Sequence, residues 1–271
     1  MKRFFSALLA MMLFCALAAP ALADVAYLPN DNFYERHRQD CRYENRNYYT
    51  NGEKGYVLTC SSPVAAAADA LPNGDCYWIS YVYTDGDGAE WGLTEFDPNG
   101  SSDWKNYSSY WVRMAEMAPD YDYRAFDAEH ADEFIERDAE LTWGGQDTVY
   151  TYKYPGSGIV TDEFDGAWMR DPLTFNRVFV DPAGREWGFV NYYFGHRNFW
   201  VCLDDPHNAG LEPDENYRVV KTVPAADPQV VSDAAAAAKR PTAYLYAGAA
   251  GVAAVAAAVL TAVVRRKKQA A

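Results

Sequence analysis

Few residues of this chain combine the types and spacing that acid–base or nucleophilic catalysis needs. Neither G-x-S-x-G nor H-E-x-x-H occurs, and the segment "YPGSG" at 154–158 matches the first of these only in part. The histidines stand among polar neighbours, which is typical of surface side chains, and there are four of them: His37, His130, His196 and His207. The sequence therefore predicts no catalytic residue and no enzymatic activity.

A metal site is the second chemistry to consider, because "DGDG" at 85–88 places two carboxylates beside two glycines. An EF-hand loop starting at Asp85 would need glycine at its sixth position and glutamate at its twelfth, and these positions hold Glu90 and Phe96. The related segment "DPAG" at 181–184 keeps the turn-forming residues and lacks the second acid. The pattern predicts a turn, and neither a metal ion nor another cofactor is expected.

The cysteines of the mature chain predict disulfide bonds. There are four of them outside the membrane: Cys41, Cys60, Cys76 and Cys202. An even number of exterior cysteines is typical of disulfide bonds, and four cysteines can form two bridges in three possible pairings. No C-x-x-C is present, which argues against a zinc or redox site. Because successive strands usually pair antiparallel, Cys60–Cys76 is favoured; it would close a loop of about 15 residues, worth roughly 3 kcal/mol. Cys41–Cys202 then follows by elimination.

Both ends of the chain predict a membrane-anchored exterior protein. Residues 1–23 have a basic start, an apolar run and an A-x-A cleavage site at Ala21 to Ala23, the pattern of a secretory signal peptide. Cys15 does not indicate a lipoprotein, because Phe14 precedes it where a small residue is needed. Residues 242–264 carry no charge and, as a helix, would cross about 30 Å of hydrocarbon. The basic tail at 265–271 is expected on the cytoplasmic side, which predicts a single-pass protein of the cell membrane with its N-terminal domain extracellular.

The charge of the predicted exterior part restricts the classes of molecule that can bind to it. Residues 24–238 contain 16 lysines and arginines and all 38 aspartates and glutamates, a net charge of −22. This excess argues against nucleic acid, anionic lipid and anionic wall polymers as direct partners, and it favours a basic or neutral one. The solubility of an exposed domain accounts for the charge equally well.

An internal repeat organises the middle of the chain. The aromatic-rich stretch "REWGFVNYYFGHRNFWV" at 185–201 has a counterpart upstream, and both copies read D-x-x-G-x-E-W-G, beginning at Asp85 and at Asp181. An alternating run precedes each copy, and an aromatic-Trp-Val triplet follows at 110–112 and at 199–201. Agreement in order and spacing predicts two structural units. Strand, turn and strand form a hairpin signal, and the glycine after each tryptophan suggests a bulge or a sharp bend.

Further strands precede each hairpin, at 55–60 and at 148–154, so each unit has four or five short strands in about 65 residues, which suits a small antiparallel barrel. The first strand, the "S-P" loop, the "EWG" hairpin and the closing aromatic-Trp-Val strand together resemble bacterial SH3-like domains. The resemblance implies a mainly β protein with two tandem SH3-like barrels. The family's glycine before the closing tryptophan is replaced here by Tyr110 and Phe199.

The aromatic residues divide into core and surface. The tryptophans that recur at equivalent places are expected in the cores of the barrels: Trp91, Trp111, Trp187 and Trp200. Residues that differ between the copies are better candidates for contacting a ligand, and they cluster in the loop between the last strands: Tyr192, Tyr193, Phe194, His196 and Arg197. An aromatic groove at such positions would receive an extended peptide or glycan chain.

The remaining segments complete the expected organisation. An N-terminal helical segment covers 24–49, the barrels cover 50–118 and 146–209, an acidic helical linker covers 119–145, and a stalk covers 210–241. Asp127 is the expected cap of the linker helix, with Phe126, Phe134 and Ile135 on its apolar edge.

The sequence thus predicts a non-enzymatic binding protein of the bacterial cell surface, whose modules bind peptide or peptidoglycan. The alternatives are a structural or adhesion ectodomain with a protein partner and, less favoured because small barrels offer little cleft, an unrecognised hydrolase with a carboxylate pair.

Overall fold

The computed structural model describes residues 28–97, 103–142, 147–165, 172–192 and 197–239. These residues form two compact units, each built on one antiparallel sheet. The first unit contains 29–120 and 220–239, and the second contains Leu28 and 121–219. The prediction of a mainly β protein is confirmed.

The first unit has a seven-stranded sheet in the order β3-β2-β6-β5-β4-β1-β7. Its strands are β1 Cys41–Thr50, β2 Tyr56–Cys60, β3 Ala67–Pro72, β4 Cys76–Thr84, β5 Glu90–Phe96, β6 Ser108–Arg113 and β7 Met117–Pro119. Helix α1 (Asn32–His37) precedes β1, and short 3-10 helices lie at Arg38–Asp40, Trp104–Asn106 and Met114–Glu116.

The second unit has a six-stranded sheet in the order β10-β9-β13-β12-β11-β8. Its strands are β8 Ile135–Leu141, β9 Thr148–Tyr152, β10 Val160–Asp165, β11 Leu173–Val180, β12 Glu186–Tyr192 and β13 Arg197–Cys202. Helix α2 (Tyr123–Glu129) precedes β8.

The two sheets share one topology, because β8 to β13 follow the order of β1 to β6 strand for strand. The registers also agree: Trp91 stands opposite Tyr83 and Arg113, and Trp187 stands opposite Phe179 and Cys202. The duplication is therefore larger than the sequence repeat and includes a strand before each predicted barrel. In the part of the chain that the structure describes, the two edge strands of each sheet do not pair with each other (β3 with β7, and β10 with β8), so the expected barrels are open sheets.

The glycine after each hairpin tryptophan serves close packing rather than a bend. The pairing of β5 and of β12 with their neighbours runs through Gly92 and Gly188 without a bulge, contrary to the sequence-based expectation. A Cβ atom at Gly92 would lie 2.5 Å from the Met114 sulfur, and one at Gly188 would lie 2.4 Å from the Phe175 ring. Glycine is required there because neighbouring side chains pack directly on the backbone.

Helices α1 and α2 are each capped by an aspartate and bury aromatic side chains, Phe33 and Tyr34 in α1 and Phe126 in α2. Asp31 accepts from Tyr34 N, and Asp122, rather than the expected Asp127, accepts from Arg124 N and Ala125 N. Asp127 lies inside α2 and Ile135 lies on β8 with 45% of its surface exposed, so the predicted cap and part of the predicted apolar edge are wrong.

The segment predicted as a stalk at 210–241 packs on both units where the structure describes it. Leu211 is buried in the core of the second unit. Residues 220–226 run along the first unit, where Val223 N donates to Asn51 Oδ1 at 2.7 Å and Ala226 N donates to Gly55 O at 3.0 Å. Helix α3 (Pro228–Ala238), capped by Asp227, then packs against β3. The sequence does not indicate this packing, because the segment is rich in proline and alanine and has no apolar periodicity.

The expected domain boundaries also shift, because β1 (predicted as part of a helical segment) and β8 (predicted as part of a linker) are strands of the two sheets. No helix among the described residues has the length and apolarity to cross a membrane. The predicted signal peptide at 1–23, spanning helix at 242–264 and tail at 265–271 lie outside the described residues.

The predicted disulfide Cys60–Cys76 does not fit the strand order. Strand β2 pairs with β3 and β6, while β4, which begins with Cys76, pairs with β1 and β5. No disulfide bond joins the four described cysteines. Cys60 and Cys76 are not on successive strands, because β3 (Ala67–Pro72) is the strand that follows β2. Cys41–Cys202, inferred by elimination, loses its basis as well.

Candidate functional site

The repeated D-x-x-G-x-E-W-G motif forms a structural turn. Asp85 accepts from Ala89 N at 2.9 Å and from the Trp91 indole nitrogen at 3.1 Å. Asp181 repeats this with Arg185 N at 2.8 Å and the Trp187 indole at 2.9 Å. The glycine at the fourth position has φ of 83° in the first turn and 81° in the second, a conformation that glycine adopts without strain. The motif therefore closes a hairpin and orients a core tryptophan.

The same contacts shift the acidity of both aspartates. The hydrogen bond from the Trp91 indole, followed by that from Ala89 N, lowers the pKa of Asp85. Burial pushes the pKa of Asp181 upward, but hydrogen bonds from Trp187 and Arg185 outweigh it and hold that pKa below the ordinary value. No group of three or more histidine, cysteine, aspartate or glutamate side chains suited to a metal occurs among the described residues.

The four repeated tryptophans lie in the cores: Trp91 is 7% exposed, Trp111 and Trp200 are 0% exposed, and Trp187 is 1% exposed. Of the residues predicted to contact a ligand, Tyr192 ends β12, Arg197 begins β13, and the two are paired in register. Tyr193, Phe194 and His196 lie outside the described residues. The aromatic groove at this loop stays a prediction.

The structure offers a different candidate site, a cleft of about 420 Å³ at one end of the first sheet. It lies between the first turn of α1, the turn that follows β2 and the paired ends of β5 and β6. Its lining is mostly polar and includes Asp31, Arg36, Ser61, Ser62, Glu95 and Ser109, together with Tyr107, which is 43% exposed. We call this opening the polar cleft.

Glu95 is the most informative group of the polar cleft. Its carboxylate accepts from Ser109 Oγ at 3.1 Å, and the Asn30 backbone N–H is a second donor to it. Burial is the largest influence and raises the pKa of Glu95, although both hydrogen bonds oppose the rise. The side chain is thus a half-buried carboxylate that faces an open cleft, and its hydrogen-bond donors within the described part of the chain are uncharged.

Asp31, the other carboxylate of the polar cleft, is committed to the fold. One oxygen caps α1 by accepting from Tyr34 N at 2.7 Å, and the other accepts from the Trp111 indole at 3.4 Å. Arg36 donates through Nε to Asn32 O at 3.0 Å, which holds the guanidinium beside the cleft. The site therefore combines one available carboxylate, several hydroxyls and a guanidinium.

The equivalent place in the second unit is filled. Cys60 pairs with Trp111 as Tyr152 pairs with Trp200, so the position of Ser62 corresponds to Tyr154. Tyr154 is 0% exposed, and its ring lies 5.6 Å from the Phe126 ring and 5.0 Å from the Tyr121 ring, measured between centroids. The fold thus does not require an opening here, and the polar cleft is a property of the first unit.

The sequence itself carries a signal for this difference. "CSSP" at 60–63 aligns with "YKYP" at 152–155, so small hydroxyl residues replace large ones next to a shared proline. Glu95 likewise corresponds to Asn191, because Glu95 pairs with Ser109 and Asn191 pairs with Asn198.

A second sequence repeat is an F-x-x-x-H-x-x-acid pattern that begins in α1 and in α2. Phe126 packs edge-on to Trp200, with 5.8 Å between the centroids, and its ring lies 4.3 Å from that of His130. The His130 Nδ1 lies 3.0 Å from Glu133 Oε1. His130 is 9% exposed, so the expectation of a surface histidine is wrong there, because the ring covers Phe126 within the core.

The first unit repeats this arrangement. Phe33 packs edge-on to Trp111 at 5.3 Å and stacks on His37 at 4.2 Å between centroids, and His37 Nδ1 lies 3.6 Å from Asp40 Oδ2. His37 is partly exposed and His207 is exposed. In both units the histidine ring therefore packs on the phenylalanine four residues before it and has a structural role.

Comparison of the chain with protein-family models, with curated proteins and with solved structures found no match.

Proposed function

We propose that this chain is a non-enzymatic binding protein of the bacterial cell surface and that its polar cleft receives an extended peptide, of the kind found in peptidoglycan stem peptides or in a protein tail. The two sheets are proposed to be SH3-like modules, of which the first carries this site. A single-pass anchor at 242–264 would hold the modules outside the cell membrane.

The observation that carries the proposal is the half-buried carboxylate of Glu95, which lines the polar cleft. Burial raises its pKa, which means that the surroundings of the carboxylate disfavour its charge. A basic group of a bound peptide would offset that penalty, and the neighbouring hydroxyls and Arg36 would contact peptide N–H and C=O groups. The net charge of −22 over residues 24–238 attracts such a partner from a distance.

Binding rather than hydrolysis is supported by the roles of the two carboxylates. A hydrolase of the glycosidase type needs two carboxyl groups that both reach the substrate. In the polar cleft Asp31 is only 8% exposed and both its oxygens accept hydrogen bonds from the fold, whereas Glu95 is only half-buried and faces the cleft.

The test is to fill the polar cleft as the second unit does. Ser62→Tyr should pack its ring on Phe33, as Tyr154 packs on Phe126, and abolish binding of the purified full chain to peptidoglycan and to soluble stem peptides. Val64→Tyr is the matched control, because Val64 is 84% exposed in the same turn and does not line the cleft. Both variants should keep the melting temperature of the wild type.

Each result assigns a function. If the wild-type chain binds the soluble stem peptide and Ser62→Tyr does not, the polar cleft is a peptide site. If the wild-type chain binds only intact peptidoglycan, the ligand is the wall polymer. Equal binding by Ser62→Tyr and wild type refutes the cleft as the site. Capture of proteins without peptidoglycan would favour the adhesion alternative, and release of wall fragments would favour the hydrolase alternative.

A further inference from the structure

A second cleft of the first unit, of about 350 Å³, is independent of the polar cleft. It is bordered by the turn after β1, by β2 and by the end of β6 with the 3-10 helix that follows. Its lining includes the side chains of Glu53, Lys54, Tyr56, Leu58, Arg113 and Glu116. We call it the charged cleft, because it holds two cations and two carboxylates around an apolar wall.

Arg113 is positioned but not paired. Its guanidinium carbon lies 4.6 Å from the centroid of the Trp91 ring, a cation–π contact. Among the described residues it forms no ion pair within 4.0 Å. Arg185 stacks similarly on Trp187 at 5.7 Å, but its Nε lies 2.6 Å from Asp181 Oδ2. Arg113 therefore presents a fixed guanidinium whose donors remain available, whereas the donors of Arg185 are used within the protein.

Glu116 provides the opposite charge. Burial raises its pKa, and Arg113 and then Lys54 oppose the rise. The carboxylate therefore has cations near it without a hydrogen-bonded partner among the described residues. A bound ammonium group would satisfy it directly.

The wall between these charges is apolar. Leu58 is 38% exposed, whereas Val57, Thr59 and Cys60 of the same strand are buried, and the partly exposed Tyr56 lies beside it. At the corresponding place in the second unit, Cys202 replaces Arg113 and is 0% exposed. There Tyr150 N donates to Pro206 O, so the chain itself covers the surface that corresponds to the charged cleft. In the first unit this surface is open as the cleft.

We propose that the charged cleft binds a free amino acid with an apolar side chain: Arg113 takes the α-carboxylate as a two-pronged donor, Glu116 takes the α-ammonium group, and Leu58 and Tyr56 contact the side chain. Two cations and two carboxylates balance each other in the cleft, so a zwitterion fits better than a ligand with one charge. This site does not depend on the polar cleft.

The experiment is a calorimetric titration of the purified full chain with leucine, N-acetyl-leucine and leucinamide. Leucine carries both charges, N-acetyl-leucine lacks the ammonium and leucinamide lacks the carboxylate. Leucine should bind, and each analogue should bind at least about ten-fold more weakly, since each leaves one charged partner unmet. Equal affinities for the three ligands, or no heat with leucine, would overturn the proposal.

Single substitutions test which residue of the charged cleft binds each charged group of leucine. Arg113→Gln should abolish the preference for leucine over leucinamide, and Glu116→Gln should abolish the preference over N-acetyl-leucine. Glu116→Gln also removes a carboxylate that burial disfavours, so its folding is secure even if Arg113→Gln unfolds. Arg42→Gln is the control, because Arg42 lies outside the cleft and pairs with Glu90. Ser62→Tyr should leave leucine binding unchanged; loss of leucine binding there, or unchanged preferences in both cleft variants, would refute the assignment.

Discussion

Replacement of Asp181 by alanine tests whether the repeated motif is a structural turn. Asp181 is 4% exposed and accepts hydrogen bonds from the Trp187 indole at 2.9 Å, from Arg185 N at 2.8 Å and from Arg185 Nε at 2.6 Å. Asp181→Ala removes all three acceptor contacts. The buried Trp187 N–H and the guanidinium are then left without this partner.

The expected loss follows from the burial of the pair. Removing one partner of a buried, hydrogen-bonded ion pair costs about 3–5 kcal/mol of the free energy of unfolding. The Arg185 side chain is 26% exposed, so water compensates part of the loss and about 3 kcal/mol is expected. Asp181→Asn keeps one acceptor oxygen and should lose about 2 kcal/mol.

Urea titration of the full chain, followed by tryptophan fluorescence at neutral pH, measures these losses. Asp85→Ala is the matched variant, and it should lose less because its carboxylate is more exposed and, among the residues that the structure describes, accepts from backbone N–H groups and the Trp91 indole rather than from an arginine. The pKa of Asp181 is lowered in the folded state, so its stabilising effect is complete above the ordinary carboxyl pKa and disappears as the pH falls through the lowered value. A loss below about 1 kcal/mol for Asp181→Ala, far under the range for a buried pair, would refute the structural role.

Three further outcomes are expected. Glu95→Gln should raise the melting temperature at neutral pH, because the raised pKa of Glu95 means that its ionised form destabilises the fold; the difference should vanish as acid protonates the carboxylate, and a difference independent of pH would contradict the argument. Gly55→Ala should destabilise the first unit, because Gly55 has φ of 81° and a Cβ there would lie 2.5 Å from Ala226 N; Gly86→Ala, with nothing within 4 Å, is the control in thermal melts, and equal losses would count against the packing of residues 220–226. A tag after Ala271 should resist external protease in intact cells while Trp91 is released with the ectodomain, and external cleavage of the tag would contradict the proposed topology.

The sequence alone determined the elements whose signals are local. The D-x-x-G-x-E-W-G turns, the strands on either side of them and a helix beside Phe126 all follow from side chains within a few residues of one another. The burial of the four repeated tryptophans follows from the same repeat, since a residue that recurs at one place in two units is most simply a core residue.

The tertiary structure decided which distant strands meet. Strand β3 separates Cys60 from Cys76 in the chain, and β6 and β5 separate their strands in the sheet, so adjacency in sequence misled the disulfide pairing. The polar cleft depends on Asp31, Ser62 and Glu95, which lie on three elements far apart in sequence and come together only when the sheet forms. The choice of Ser62 or Tyr154 at one position then decides whether the site is open, because a tyrosine ring fills the volume that a hydroxyl leaves free.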